Sequence, residues 1–465
     1  MAAARRLKDR SCEGAHLGNL GLACDSLGEY RRAIEFQEQR LAIAREIGDQ
    51  QGEGNALGNL GNAYDSLGEY RRAIEYHEQA LAIDQQIGNR RGEGQDLGNL
   101  GNVYQILGEY RRAIEYHEQA LVVLRELKDR QGEGNALGNL GNAYQSLGEY
   151  RRAIEYQEQA LAIAQQIGNR RGEGQHLGNL GNVYQSLGEY RRAIEYHEQY
   201  LAIDREIGDR QGEGAALGNL GNAYYSLGEY RRAIEYHEQA LAIAREIGDQ
   251  QGEGNALGNL GNAYYSLGEY RRAIEYHEQH LAIAREIGDR QGEGNALGNL
   301  GIAYYRLGEY RRAIEYHGQA LAIEREIGDQ RGQGNALGNL SIVYQSLGEY
   351  RRAIEYHEQA LVVLRELKDR RAEGQVLGSL GIAYDSLGEY RRAIEYHEQY
   401  LAIAREIGDR RGEGNALWNM SLALDNIGER QKAIQNAEAA LKIREQIESP
   451  AADKVRKQLE KWRSA

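Results

Sequence analysis

Self-similarity at a fixed spacing of 40 residues governs the whole chain. The tripeptide GEG stands at residues 52, 92, 132, 172, 212, 252, 292 and 412, and CEG, GQG and AEG hold the same register at 12, 332 and 372. The turn LGEY follows ten times, from 27 to 387, and IGER closes the series at 427, giving eleven units across 11–448. A unit this short cannot bury an apolar face alone, so the units must stack on one another. Repetition also accounts for 59 glycines, one proline and one phenylalanine among 465 residues, far from ordinary globular usage.

One unit, 252–287, shows the design. On a helical wheel Leu257, Leu260, Tyr264 and Leu267 form one stripe, and Asn255, Asn259, Asn262 and Ser266 lie opposite. Gly254, Gly258 and Gly261 occupy one flank, Ala256 and Ala263 the other. Each interior glycine costs a helix about 1 kcal/mol relative to alanine. The bare flanks of this first helix, A, are therefore expected to face the A helices of neighbouring units, where close approach offsets the cost.

The second helix, B, carries Tyr270, Ile274, His277, Leu281 and Ala284 on one stripe and Tyr276, Ile283 and Ile287 on another. Two apolar faces mark a sandwiched helix; Arg271, Arg272, Glu275, Glu278 and Glu286 form a solvated outer face. Asp249 directly behind Gly248 supplies a helix N-cap after a helix-ending glycine.

The run Leu257-x2-Leu260-Gly261-x2-Tyr264, followed by Ala273-x3-His277, resembles the tetratricopeptide repeat. Leucine stands for that motif's tryptophan, histidine for its phenylalanine, its proline is missing, and the period is 40 rather than 34. The long unit is similar to the repeats of Pins-type adaptors and kinesin light chains. The last block, ALWNMSLALDNIGERQKAIQNAEAALKIREQIESP, is similar to the terminal repeat of bacterial sensor ATPases. The resemblance implies an all-α protein, an α-solenoid of tandem helix-turn-helix units. With A helices crowded inside and bulkier B helices outside, a right-handed superhelix is expected, its inner groove faced by asparagines. Residues 1–10 imitate the end of a helix B, as at 124–130, and read as the remnant of a preceding unit in a fragment of a longer protein. Residues 449–465 read as a capping helix, with Ser449 as N-cap, Pro450 in the first helical position and Val455, Leu459 and Trp462 in a stripe.

The candidate binding residues are two asparagine rows on helix A. The first holds Asn59, Asn99, Asn139, Asn179, Asn219, Asn259 and Asn299; the second holds Asn62, Asn102, Asn142, Asn182, Asn222 and Asn262. A carboxamide donates and accepts, so a spaced row can hold the main chain of an extended peptide. The resemblance points the same way, since clamps of the family use asparagines at these positions. The carboxylate-gripping clamp also needs a lysine where this chain has Gly58 or Gly258, so carboxylate specificity is not expected. The alternative is that the amides bond only to one another or to water. Tyr225, Tyr265 and Tyr305 are placed in the middle of the groove as large, partly polar contact surfaces. Ile302, Ile342 and Ile382 replace the second asparagine and turn the C-terminal groove apolar, either to seat a hydrophobic anchor or by becoming buried.

Other functions are argued against. A formal charge of −13 disfavours nucleic acid and anionic membrane as partners. No stretch of eighteen continuous apolar residues occurs, the start MAAARRLKDR lacks a signal-peptide core, and the only cysteines are Cys12 and Cys24, so a cytoplasmic setting is expected. His77, His117, His197, His237, His277, His317, His357 and His397 repeat in register at the family's aromatic position. Successive units lie about 10 Å apart, too far to share one ion, so these histidines read as packing residues. No catalytic or phosphate-cradling motif is present, and neither enzyme activity nor a cofactor or metal is expected. The expected role is a protein-interaction scaffold or sensor module that binds an extended or helical peptide. A spacer array with an empty groove, and a regulatory C-terminal module of a larger signalling ATPase or other enzyme, are the alternatives.

Overall fold

The computed structural model describes residues 9–464. Residues 1–8 of the expected helix remnant lie outside that range, and Arg10 already belongs to the first A helix, Arg10–Ser26. Among the described residues 23 helices follow in order without a strand. Eleven A–B pairs are succeeded by one last helix, Ala452–Ser464. The chain divides into two compact units, Met1–Glu229 and Tyr230–Ala465, the boundary falling in the turn of the sixth repeat.

Helix ends follow local chemistry. In the seventh repeat helix A spans Gln250–Ser266, and the Asp249 side chain accepts from the Gly252 N–H at 2.9 Å. This satisfies one of the donors a helix start leaves open. At the other end Gly268 adopts φ 82°. Its N–H reaches the Tyr265 carbonyl and the Glu269 N–H reaches the Tyr264 carbonyl, both at 2.9 Å, a paired C-terminal closure that only glycine enters without strain. Helix B, Tyr270–Ile287, starts two residues later and ends at Gly288, also left-handed. The third, ninth and eleventh repeats break this rule, for Lys128, Lys368 and Glu448 hold the left-handed position at φ 57°, 55° and 52°.

Within each of the two compact units A helices pack against the B helix of their own repeat and against that of the preceding repeat, with far slighter contact to neighbouring A helices. Leu257 and Leu260 are completely buried in this sandwich, and each such leucine contributes about 1.5–3 kcal/mol. Tyr264 stacks on Tyr276 of helix B, ring centroids 5.2 Å apart. The pairing recurs at Tyr64–Tyr76, Tyr144–Tyr156 and Tyr384–Tyr396.

In the seventh repeat the glycine flank faces its own helix B and not the neighbouring A helices that were expected. Beside Gly254 lie Ile283 and His280, beside Gly258 lies His280, and beside Gly261 lies His277, all on helix B of the same repeat. A methyl group on Gly301 would sit 2.5 Å from the ring of His317. The reason is steric: a buried imidazole in helix B needs a bare helix A surface against it. In the ninth repeat Ser341 takes the register of Gly301 and is buried, its hydroxyl donating to the Gly338 carbonyl at 2.6 Å. The expected register of the histidines holds, since those at 77, 117, 197, 237, 277, 317, 357 and 397 are all buried.

The last helix covers the end of the stack. Val455, Leu459 and Trp462 are buried, and the Trp462 Nε1–H donates to Asp425 at 2.8 Å. It begins at Ala452, later than the sequence suggests, with Pro450 in the preceding turn.

Candidate peptide-binding groove

The asparagine rows emerge on the face of helix A turned away from its leucine stripe. Their side chains are half-buried or exposed, none belonging to the core. Neighbouring repeats join through them: the Asn99 amide donates to Asn62 at 3.2 Å, Asn139 to Asn102 at 3.1 Å and Asn299 to Asn262 at 3.3 Å. Gln157 of helix B donates to Asn142 at 2.8 Å and to the Gly138 carbonyl at 2.9 Å. Each amide in such a pair spends one donor or acceptor and retains others for a ligand.

Two open cavities lie along the rows in the first unit. One, about 590 Å³, is walled by Asn59, Asn62 and Asn99. The other, about 510 Å³, is walled by Asn139, Asn142, Asn179, Asn182 and Asn219. Asn102 and Asn222 also lie on the solvent-facing row.

In the second unit Asn259, Asn262 and Asn299 continue the amide pattern, after which the second row becomes aliphatic. Ile342 and Ile382 are 44% and 41% exposed, and Ile302 is half-buried. Of the two expectations for these residues, burial is therefore overturned for Ile342 and Ile382, which remain open to solvent. The tyrosines sit differently from expectation. Tyr265 and Tyr305 pack onto the core and against Tyr270 and Tyr310 of their own B helices, centroids 5.4 and 5.6 Å apart. The Tyr305 hydroxyl meets the Ser346 hydroxyl at 3.1 Å. Tyr225, in the first unit, is likewise half-buried. For Tyr265 and Tyr305 the reason is the short turn, which brings each ring beside the first tyrosine of the next helix.

Sequence reasoning missed the floor of the groove. The middle glycine of the helix A flank, equivalent to Gly258, meets a different neighbour from repeat to repeat. A methyl group would lie 3.4 Å from Asp96 on Gly58, 2.7 Å from His176 on Gly138 and 3.1 Å from Tyr200 on Gly178. On Gly98, Gly218, Gly298 and Gly338 a methyl group would meet no other part of the fold within 4 Å. Departures from the repeat consensus at residues 96, 176 and 200 were the available signal. Burial lowers the His176 imidazole to about 4, and its Nδ1 lies 3.0 Å from Gln157 Oε1.

The glutamate of GEG also escaped notice. Glu293 is buried and accepts from Arg285 of the preceding helix B at 2.8 Å, while Arg290 bridges it to Glu326. Because it ties successive repeats together, this carboxylate is a stacking element. The ninth repeat has Gln333 in its place. Among the described residues no group of histidine, cysteine and carboxylate side chains is placed to hold a metal ion, and no helix is long and apolar enough to cross a membrane.

Comparison with known proteins agrees with this architecture. The tetratricopeptide repeat family model matches residues 13–86, 97–166, 172–246, 252–326 and 332–406. The chain belongs to the tetratricopeptide repeat family, an α-solenoid class whose repeats serve in protein–protein interaction. No curated protein sequence matches it. Among solved structures it is similar to a signal-transduction ATPase with numerous domains, bearing a tetratricopeptide repeat sensor, from Pyrococcus horikoshii. The two share 17% identity over 81% of this chain and 56% of that one, with a TM-score of 0.58. It is also similar to aspartyl phosphate phosphatase F from Bacillus subtilis, at 17% identity over 75% of this chain and 93% of that one, TM-score 0.50. At such identity the likeness concerns the fold.

Proposed function

We propose that the chain binds an extended peptide along the asparagine-bearing face of its A helices. The observation that carries this reading is the pair of open cavities walled by unfilled amide groups in register. Stacked helical units advance about 10 Å, and an extended peptide rises about 3.3 Å per residue. Three ligand residues thus pass each repeat, so every repeat brings its asparagines within reach of main-chain N–H or C=O groups of the ligand. In the second unit Ile302, Ile342 and Ile382 would seat apolar side chains of a ligand, since exposed aliphatic groups in a row are costly in water unless covered.

The test is selection of a displayed library of random peptides on the full chain, followed by titration of the enriched peptides. Replacing Asn99, Asn102, Asn139 and Asn142 together by alanine is expected to weaken binding by about a hundredfold or more while the helical circular dichroism stays unchanged. Equal binding by the correctly folded variant would rule the groove out. A second arm replaces Ile342 and Ile382 with aspartate, and loss of binding with retained helicity is the expected outcome.

A further inference from the structure

We propose that the cavity between the second and third repeats is a subsite for one basic side chain of the bound peptide, a lysine ammonium or an arginine guanidinium. This rests on the peptide-groove reading above. Asp84, from helix B of the second repeat, and Asp96, from helix A of the third, both line the cavity of about 590 Å³ and are each only 5% exposed. Asp84 Oδ1 accepts from Asn89 Nδ2 at 3.0 Å. Asp96 Oδ2 has no hydrogen-bond partner, and its Oδ1 stands 3.8 Å from His77 Nδ1, beyond hydrogen-bond reach.

A buried carboxylate without a donor is a costly arrangement that a cation relieves. Burial raises both carboxyls above their usual range; for Asp96 the neighbouring His77 imidazole offsets part of that rise, and the charge of Asp84 adds slightly to it. Arg91 also lines the cavity, but it is exposed at the rim and leaves the floor without a positive charge. The remaining walls are asparagine, glutamine and glycine.

The next cavity along supplies an internal comparison. Two repeats later the same amide walls recur, with Ala164 where Asp84 stands and His176 where Asp96 stands, and Tyr200 joins the lining. The acid pair is thus an addition to the repeat pattern at one place. A basic group lowered between the asparagines would meet both carboxylates at once, giving charge-assisted hydrogen bonds that a neutral residue cannot form.

The experiment uses the full chain and the peptides enriched from the random library, titrated calorimetrically against wild type, Asp84→Asn and Asp96→Asn. Enriched sequences should share a lysine or arginine at one fixed position. Each substitution should weaken binding about tenfold or more. Replacing that basic residue by glutamine in the peptide should lower wild-type affinity to the level of the variants and erase the difference between them. Parallel lysine and arginine versions of the peptide identify which group the site prefers. Peptides that bind tightly without a shared basic residue, or that bind Asp84→Asn and Asp96→Asn as well as wild type, overturn the subsite and leave the groove standing. Failure of any peptide to bind overturns the groove itself, and the subsite with it. Because the two aspartates lie on different helices, either variant suffices if the other alters the circular dichroism.

Discussion

Acid should loosen this stack through the histidines of helix B, and His117 gives a clear measure. It is completely buried, both ring nitrogens lack partners, and burial lowers it from 6.5 to about 4. The unfolded chain therefore binds a proton more readily than the folded one. The stability from this site is full above 6.5 and is lost as pH falls from there towards 4. Between about pH 7.5 and pH 5.5 the loss is about 1.3 kcal/mol for this single side chain. His197, His237, His317 and His357 are lowered to about 4 in the same way, so the effect multiplies along the chain. The perturbation is His117→Gln, a change the chain itself makes: Gln37 and Gln157 occupy this register, each donating to a helix A carbonyl, at 3.2 and 2.9 Å. Urea unfolding followed by helical circular dichroism at both pH values gives the difference. The variant should lose about 1.3 kcal/mol less than wild type on acidification. Asp204 and Glu324, raised to about 6 and about 7 by burial, act in the opposite direction, but equally in both proteins. An identical loss in wild type and variant would refute the reasoning.

Other consequences can be measured by the same unfolding assay. Gly298→Ala and Gly338→Ala, at positions with nothing within 4 Å, should each stabilise the chain by about 0.5–1 kcal/mol. Gly258→Leu, with His280 at 3.1 Å, should cost more than about 2 kcal/mol by overpacking. Lys128→Gly and Lys368→Gly, which relieve left-handed lysines, should each add about 1 kcal/mol. Glu324 is buried at a junction without the usual glutamate, and burial raises it from 4.5 to about 7. Its contribution is favourable below 4.5 and lost as pH rises through 7, so Glu324→Ala should stabilise by about 1 kcal/mol or more near pH 8 and do little near pH 5.

The repeat period, both helices, their caps and the terminal helix could be read directly from residues, because each depends on short-range chemistry. Gly268 must enter the left-handed region and Asp249 must cap the helix that follows, whatever surrounds them. The asparagine rows could be read for the same reason, as they follow from helical periodicity. What could not be read depends on which neighbour a flank meets. Gly261 on a helical wheel looks equally suited to a neighbouring A helix or to its own B helix; only packing shows that His277 takes the space. Asp96, His176 and Tyr200 escaped because their importance comes from a cavity formed between repeats. Glu293 escaped because Arg285, and Glu326 through the bridging Arg290, reach it only when neighbouring helices pack together.

The structure of the full chain bound to an enriched peptide bears on the central claim without intermediaries. The account requires peptide density running along the A helices, with ligand N–H and C=O groups in hydrogen-bond reach of Asn99, Asn102, Asn139 and Asn142. A peptide lying on the outer B helices, with the Asn62–Asn99 and Asn102–Asn139 bonds untouched, would contradict it.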